Sequence, residues 1–203
     1  GQPAWNSGDA AGAAALAKKV IAEFEAFDWV VVPSGSCADQ IRNEYLQILA
    51  ADAAWLARAQ ALAPRVFELS DFLVNVCKAP VVPGRFAGSV TYHDSCTGLR
   101  RLGIKAQPRA LLGRVPGLSL REMDQAEECC GFGGLFSVKF GEVSAAIADR
   151  KCEHACATGA DAIVGGDLGC LINIEGKLRR RGDLKTRVLH LAEVLAGDDG
   201  KLA

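Results

Sequence analysis

The sequence predicts an α/β protein of two related halves, each a mainly parallel sheet flanked by helices, with the first half truncated at its N-terminus. Three observations predict it. Short apolar runs alternate with stretches of helical period, the pattern of a parallel sheet with crossover helices. The chain repeats itself: Asp28-Trp-Val-Val-Val-Pro-Ser-Gly-Ser-Cys37 matches Asp161-Ala-Ile-Val-Gly-Gly-Asp-Leu-Gly-Cys170, and Arg65–Val74 matches Arg187–Ala196. Cys37, Cys96 and Cys170 fall just past the ends of predicted strands, the edge at which open parallel sheets bind ligands.

A repeat period above about 100 residues means a duplicated domain and not a solenoid. A third match sharpens the point: Gly1-Gln-Pro-Ala-Trp-Asn-Ser7 corresponds to Gly131-Phe-Gly-Gly-Leu-Phe-Ser137. Gly131 follows two cysteines, so the match places two cysteines ahead of Gly1 in a parent protein. The expected halves are 1–79, incomplete at its start, and 80–203.

The elements follow in order. Asp9 caps a helix to about Phe27, with Ala13, Leu16, Val20, Phe24 and Phe27 at helical spacing. Trp29–Pro33 is a buried strand, and the Cys37 loop and a helix follow. Ala53–Leu62 is a helix ended by Pro64. Val66–Leu69 is a short strand, with Ser70 capping Asp71–Cys77. Pro80–Gly88 links the halves. In the second half, Ser89–His93, Leu118–Met123, Ala162–Val164 and Val188–His190 are strands. Gln107–Leu112, Glu142–Thr158, Leu171–Arg180 and Leu191–Leu195 are helices. The turn at Cys96, the loop at Cys129-Cys130 and the loop at Cys170 lie between them.

Composition narrows the function. Half of the 203 residues are apolar and the net charge is −1, with lysine and arginine scattered, which gives no case for nucleic acid. No apolar run approaches the roughly 18 residues of a membrane span. No basic start followed by an apolar stretch marks a signal peptide. Eight cysteines in a chain this large and apolar are read as reduced thiols of a cytoplasmic protein. No Ser–His–Asp order, Walker-type phosphate loop or dinucleotide fingerprint is evident.

The chemistry is expected at Cys96, Cys129, Cys130 and Cys170. Neighbouring cysteines rarely bond to each other, because a disulfide needs a specific Cβ separation and dihedral. Two adjacent thiolates turned toward one polynuclear centre explain the pair better, and four thiolates are what a [4Fe–4S] cluster takes. A four-thiolate zinc site and four unrelated buried thiols are the rival readings. Gly98, Gly131, Gly133, Gly134 and Gly169 let backbone N–H groups approach sulfur. His93, three before Cys96, is read as donating a hydrogen bond to the cluster or carrying a proton, against a histidine merely satisfied at a strand end. Cys152 and Cys156 share a small-residue helix face packed on the sheet, and Cys77 is read as core or boundary. Arg179-Arg-Arg181 is a solvated helix end.

Tyr92-His-Asp-Ser-Cys96, Glu128-Cys-Cys-Gly-Phe-Gly-Gly134 and Asp167-Leu-Gly-Cys-Leu-Ile-Asn-Ile174 resemble the motifs of the cysteine-rich CCG-domain family. That family includes the cysteine-rich subunit of heterodisulfide reductase and the iron–sulfur subunit of glycolate oxidase. Within it the chain resembles the iron–sulfur subunit of a three-subunit L-lactate oxidation complex. The resemblance implies an electron-transfer subunit for a 2-hydroxy acid, L-lactate to pyruvate, working with other subunits that include a second iron–sulfur protein. It departs from the heterodisulfide reductase type, whose halves end in Cys-x-x-Cys. Here Asn173 stands three residues after Cys170 and Gln40 three after Cys37, so one four-thiolate cluster per half is expected. Cys37 is the only ligand the first half retains, which leaves that site incomplete. An apo or zinc-binding scaffold subunit with no redox role is the alternative from another class. Loss of the first strand would leave an open edge through which copies of the chain associate.

Overall fold

The computed structural model describes residues 1–197. The first half opens with α1 (Gln2–Asn6) and α2 (Ala10–Phe24), which Asp9 caps through Gly12 N. β1 (Val30–Val32) leads into α3 (Gly35–Asp39), which continues through a π turn at Gln40–Glu44 into α4 (Tyr45–Ile48). α5 (Ala53–Leu62) then returns the chain to β2 (Val66–Glu68), parallel to β1 with Val30 opposite Val66. Ala17, Ile21, Val30, Tyr45, Leu49, Ala59, Leu62 and Val66 form this half's core.

Two expectations change here. The buried face of α2 is Ala13, Ala17 and Ile21, while Leu16, Phe24 and Phe27 are exposed. Two of these three residues are alanines, which let α2 lie close on its neighbours, with Ile21 filling the core at the far end of the face. The strand at 29–33 is only three residues long and buries one face. Trp29 and Val31 stay exposed, and Trp29 meets Phe67 edge-on at 5.6 Å between ring centroids.

α6 (Leu69–Asp71) runs through a second π turn to Val76. Its cap is Glu68 and not Ser70: one Glu68 oxygen accepts from Ser70 N at 2.8 Å, Ser70 Oγ at 2.5 Å and Asp71 N at 3.2 Å. Cys77, at the end of this helix, is exposed and not core.

The second half is a four-stranded parallel sheet in the order β4-β3-β5-β6. β3 (Gly88–His93) is followed by α7 (Cys96–Leu102) and α8 (Ala106–Leu112). β4 (Leu118–Leu120) ends three residues earlier than its apolar run suggests. Then come α9 (Leu135–Lys139), α10 (Gly141–Ala157), β5 (Ala162–Gly165), α11 (Leu168–Arg180), β6 (Arg187–His190) and α12 (Leu191–Ala196).

Strand side chains alternate between faces, and that alternation sorts the layers. Val90, Tyr92, Ala162, Val164 and Leu189 join Leu111, Leu112, Leu191 and Val194 on one face. Ile163 joins Cys130, Cys152, Cys170, Ile174 and Leu178 on the other, under α10 and α11. Thr91 and His93 therefore point to the cysteine side. On α10, Ser144, Ala148, Lys151, Cys152 and Ala155 are buried, but Cys156 is exposed, so the two helix cysteines do not share one packed face. Among the described residues, no helix is long and apolar enough to cross a membrane.

The halves meet at the carboxyl ends of their strands. His190 Nδ1 accepts from Ala192 N at 3.1 Å, so Nε2 carries the proton and donates to Pro33 O at 3.0 Å. A methyl group added at Gly166 would stand 3.2 Å from Tyr92 Oη and 3.5 Å from Glu68 Oε1. Burial holds the Glu68 carboxyl above its ordinary value of 4.5, against the pull of its bonds from Ser70 and Asp71.

A group whose folded pKa is raised contributes stability that is complete below its unfolded pKa and is lost as pH rises through the folded value. Glu68→Gln should therefore flatten one component of the pH dependence. The difference in urea-unfolding free energy, wild type minus variant, is expected to fall as pH rises from about 4.5 toward neutrality. A difference independent of pH over that range would show that Glu68 is not strained by burial.

Candidate metal centre

The helices that carry Cys37, Cys96 and Cys170 each start just after a parallel strand, so these cysteines lie in first helical turns and not in the loops expected for Cys96 and Cys170. Cys37 and Cys170 each stand three residues after an N-cap, Ser34 and Asp167. Cys96 is the first residue of α7, capped by Ser95 through Gly98 N at 3.2 Å. Cys129 and Cys130 come from the turn between β4 and α9.

Cys96, Cys129, Cys130 and Cys170 line one cavity of about 230 Å³, together with Gln2, Phe132 and Asp167. The thiols are in series: Cys96 contacts Cys129, Cys129 contacts Cys130, and Cys130 contacts Cys170. The bond to Cys129, then burial, push the Cys96 thiol well up from its ordinary value. For Cys130 the bond from Cys129 lowers the value, but Cys170 and burial outweigh it and push the thiol up to about 12. Gly131 N donates to Cys129 Sγ at 3.3 Å.

The turn carrying the pair is held from three sides. Asn173 Nδ2 donates to Cys130 O at 2.8 Å. Ser144 Oγ donates to Gly131 O at 2.7 Å. Gly131 has φ +87, and a Cβ there would stand 2.5 Å from Ser144 O, so glycine is required at this position. Lys151 is wholly buried and donates to Gln125 O at 2.6 Å and Ala126 O at 3.2 Å. Burial lowers its pKa, against the opposing fields of Glu128, Cys130 and Asp94.

His93 is 1% exposed, and its ligating nitrogen, Cys130 Sγ and Cys170 Sγ all lie within 4.8 Å of one another. Burial, then the Lys151 ammonium, push its imidazole down to about 3, so the ring is neutral. Cys37 does not join the four. It is exposed and opens on a neighbouring cavity of about 590 Å³ with Gln40 and Tyr45. The two cavities share Gln2, Pro3, Ser36, Phe132 and Asp167. Gln40 Nε2 is buried with no hydrogen-bond partner among the described residues.

Two contacts bring the cysteine helices together. Asp167 Oδ2 accepts from Ser34 Oγ at 2.9 Å and Ser36 N at 3.1 Å, while Oδ1 accepts from Gly169 N at 3.2 Å. Gly35 faces Gly98 so closely that a Cβ on Gly35 would stand 2.8 Å from Gly98 Cα. Sequence reasoning missed Asp167, Lys151 and Gln2. Asp167 alone carried a visible signal, as a helix-capping residue three before a cysteine.

The donor set fits a thiophilic metal group. Four thiols converge on one cavity with room for more than a single ion, and a neutral imidazole without a partner among the described residues stands behind two of them. A parallel sheet that delivers cysteines from separate strand ends to one cavity defines a cysteine-rich domain protein. The cysteine-rich CCG domain family matches residues 90–175, the stretch that contains all four thiols.

Curated relatives extend the match to nearly the whole chain. Lactate utilization protein A 2 of Bacillus cereus (strain Q1) is 43% identical over 196 residues, 97% of this chain and 81% of the relative. Lactate utilization protein A of Geobacillus sp. (strain WCH70) is 46% identical over 195 residues, 96% of this chain and 81% of the relative. That of Bacillus cytotoxicus (strain DSM 22905 / CIP 110041 / 391-98 / NVH 391-98) is 44% identical with the same coverage. The chain belongs to the lactate utilization protein A family.

Two outcomes are expected. Asp167→Ala leaves Ser36 N unpaired and uncaps α11, and should lower the unfolding free energy by roughly 2 kcal/mol, read from the urea midpoint. Metal-free, reduced protein treated with an alkylating agent should be modified first at Cys37, Cys77 and Cys156, with Cys130, Cys152 and Cys170 protected until the chain unfolds. Peptide mass mapping reads the order. Alkylation of Cys170 as fast as Cys37 would contradict the closed site.

Proposed function

We propose that this chain is an iron–sulfur electron-transfer subunit of a cytoplasmic 2-hydroxy-acid oxidation complex, with L-lactate oxidation to pyruvate as the reaction served. The observation that carries the proposal is the convergence of Cys96, Cys129, Cys130 and Cys170 on one cavity, in a chain of this family. A [4Fe–4S] cluster held by these four thiolates would supply one-electron transfer between the substrate-oxidising partner and a second iron–sulfur protein.

The chain's own residues do the rest. Cys129 and Cys130 present two thiolates from one turn, and Asn173 and Ser144 fix that turn's backbone. Lys151 places a buried cation near Cys129 and Cys130 and offsets part of their negative charge. Gly131 N stabilises the Cys129 thiolate by direct donation. Phe132 and the sheet limit water at the site, and burial and hydrogen bonding to sulfur are the protein's means of setting potential.

We also propose that residues 1–79 and 80–203 are related units. Cys37 and Cys170 share their place after a parallel strand and an N-cap, and the matched residues Glu68 and His190 each cap the helix after the next strand. On this reading Cys37 is the one retained ligand of an incomplete second cluster site, whose cavity shares lining residues with the first.

The test is anaerobic purification, or reconstitution with iron and sulfide, followed by metal and acid-labile sulfide analysis. About four irons per filled site, visible absorbance that bleaches on reduction, and an electron-spin signal are expected. Cys129→Ser should lose the second-half centre. Stoichiometric zinc with neither iron nor labile sulfide would overturn the proposal in favour of a scaffold subunit.

A further inference from the structure

His93 ends β3 with its imidazole sealed inside the protein, and neither Nδ1 nor Nε2 has a hydrogen-bond partner among the described residues. Buried polar groups are nearly always paired, because leaving them unpaired is costly. An unpaired histidine at 1% exposure therefore asks for a partner that is not a protein atom.

The geometry says what kind. A ring nitrogen, Cys130 Sγ and Cys170 Sγ fall within 4.8 Å of one another, yet the ring is bonded to neither sulfur. A single tetrahedral metal ion between them would hold nitrogen at roughly 2.0–2.1 Å and sulfur at about 2.3 Å, which puts its donors about 3.6–3.8 Å apart. Donors that all lie within 4.8 Å of one another are close enough to close on such an ion with small side-chain movements. Strand alternation makes the orientation unavoidable: with Val90 and Tyr92 in the opposite core, His93 must face α10 and α11. Asn173, three residues after Cys170, is occupied with Cys130 O and is not free to serve instead.

We propose that His93 is a direct nitrogen ligand of the metal centre, a fifth donor beside Cys96, Cys129, Cys130 and Cys170. This rests on the reading that these thiols hold a metal group. It differs from a histidine that merely donates N–H to a thiolate, because it places the ring nitrogen on the metal itself. A neutral imidazole adds a donor to the centre without adding negative charge to it.

The test uses the whole chain labelled with ¹⁵N-histidine, reconstituted anaerobically with iron and sulfide, reduced, and measured by electron–nuclear double resonance. A nitrogen coupling of the size of a bound imidazole, lost in His93→Gln, is expected. A paramagnetic cluster with no such coupling, or a coupling that His93→Gln leaves intact, overturns the proposal. If no cluster forms, the iron–sulfur reading fails by itself, and cobalt(II) titration of the metal-free protein still decides about His93. At least tenfold weaker cobalt binding by His93→Gln, with shifted ligand-field bands, supports it. Equal affinity and unchanged bands overturn it. Should the variant not fold, wild-type protein decides alone, through the nitrogen coupling or through paramagnetically shifted imidazole protons in the cobalt form.

Discussion

Asp167 is the interaction on which the rest of the structure depends. One carboxylate caps the helix that carries Cys170 and, through its other oxygen, holds Ser34 and Ser36 at the start of the helix that carries Cys37. The group is 7% exposed, and its charge is met by hydrogen bonds from one neighbouring turn in each half. Bonds to an ionised acceptor are about twice as strong as neutral ones. The Gly35–Gly98 approach then fixes the distance, because neither residue has a side chain to hold the helices apart. A larger residue at either position would separate the first-half cysteine helix from the Cys96 helix and open the wall shared by the two cavities.

The architecture explains why cysteines so distant in sequence meet. Parallel strands all end on the same edge, and β3 and β5 are neighbours in that sheet. Cys96 and Cys170 follow those two strands, so pairing Tyr92 with Val164 already brings the helix starts side by side. The cysteine pair completes the cavity from a turn that no strand fixes. Asn173, Ser144 and the buried Lys151 do that instead, from α11 and α10. Lys151 serves twice, since it props the backbone at Gln125 and Ala126 and supplies a positive charge beside the thiols.

The two residues that stand three after Cys170 and Cys37 have different surroundings. Asn173 anchors the cysteine pair through the Cys130 carbonyl, while the Gln40 amide is buried beside Cys37 without a partner among the described residues. Both side chains are amides, able to hold backbone or bind polar groups, and neither offers a thiolate. The second-half cavity is accordingly lined by the thiols of Cys96, Cys129, Cys130 and Cys170, and the His93 imidazole, without a partner among the described residues, stands behind two of them.

By itself the sequence determined the α/β class, the parallel order of elements and the four thiols. Alternating apolar runs, a repeated Asp-to-Cys segment and an adjacent cysteine pair are local patterns, and local patterns survive without coordinates. It misplaced what depends on packing. The contact face of α2 is alanine-lined and leaves Leu16 and Phe24 outside, because helix approach distance is a tertiary quantity. Ser70 looked like a cap, but Glu68 reaches both N–H groups from the strand end. His93 could be singled out by its nearness to Cys96, yet only the tertiary structure showed that its nitrogens have no partner among the described residues and that the ring lies beside Cys130 and Cys170. Asp167 had only the local signature of a helix cap, and Lys151 had none beyond its charge. That one joins the halves and the other lies buried behind the thiols was decided by the tertiary structure, because both roles consist of contacts between segments that only folding brings together.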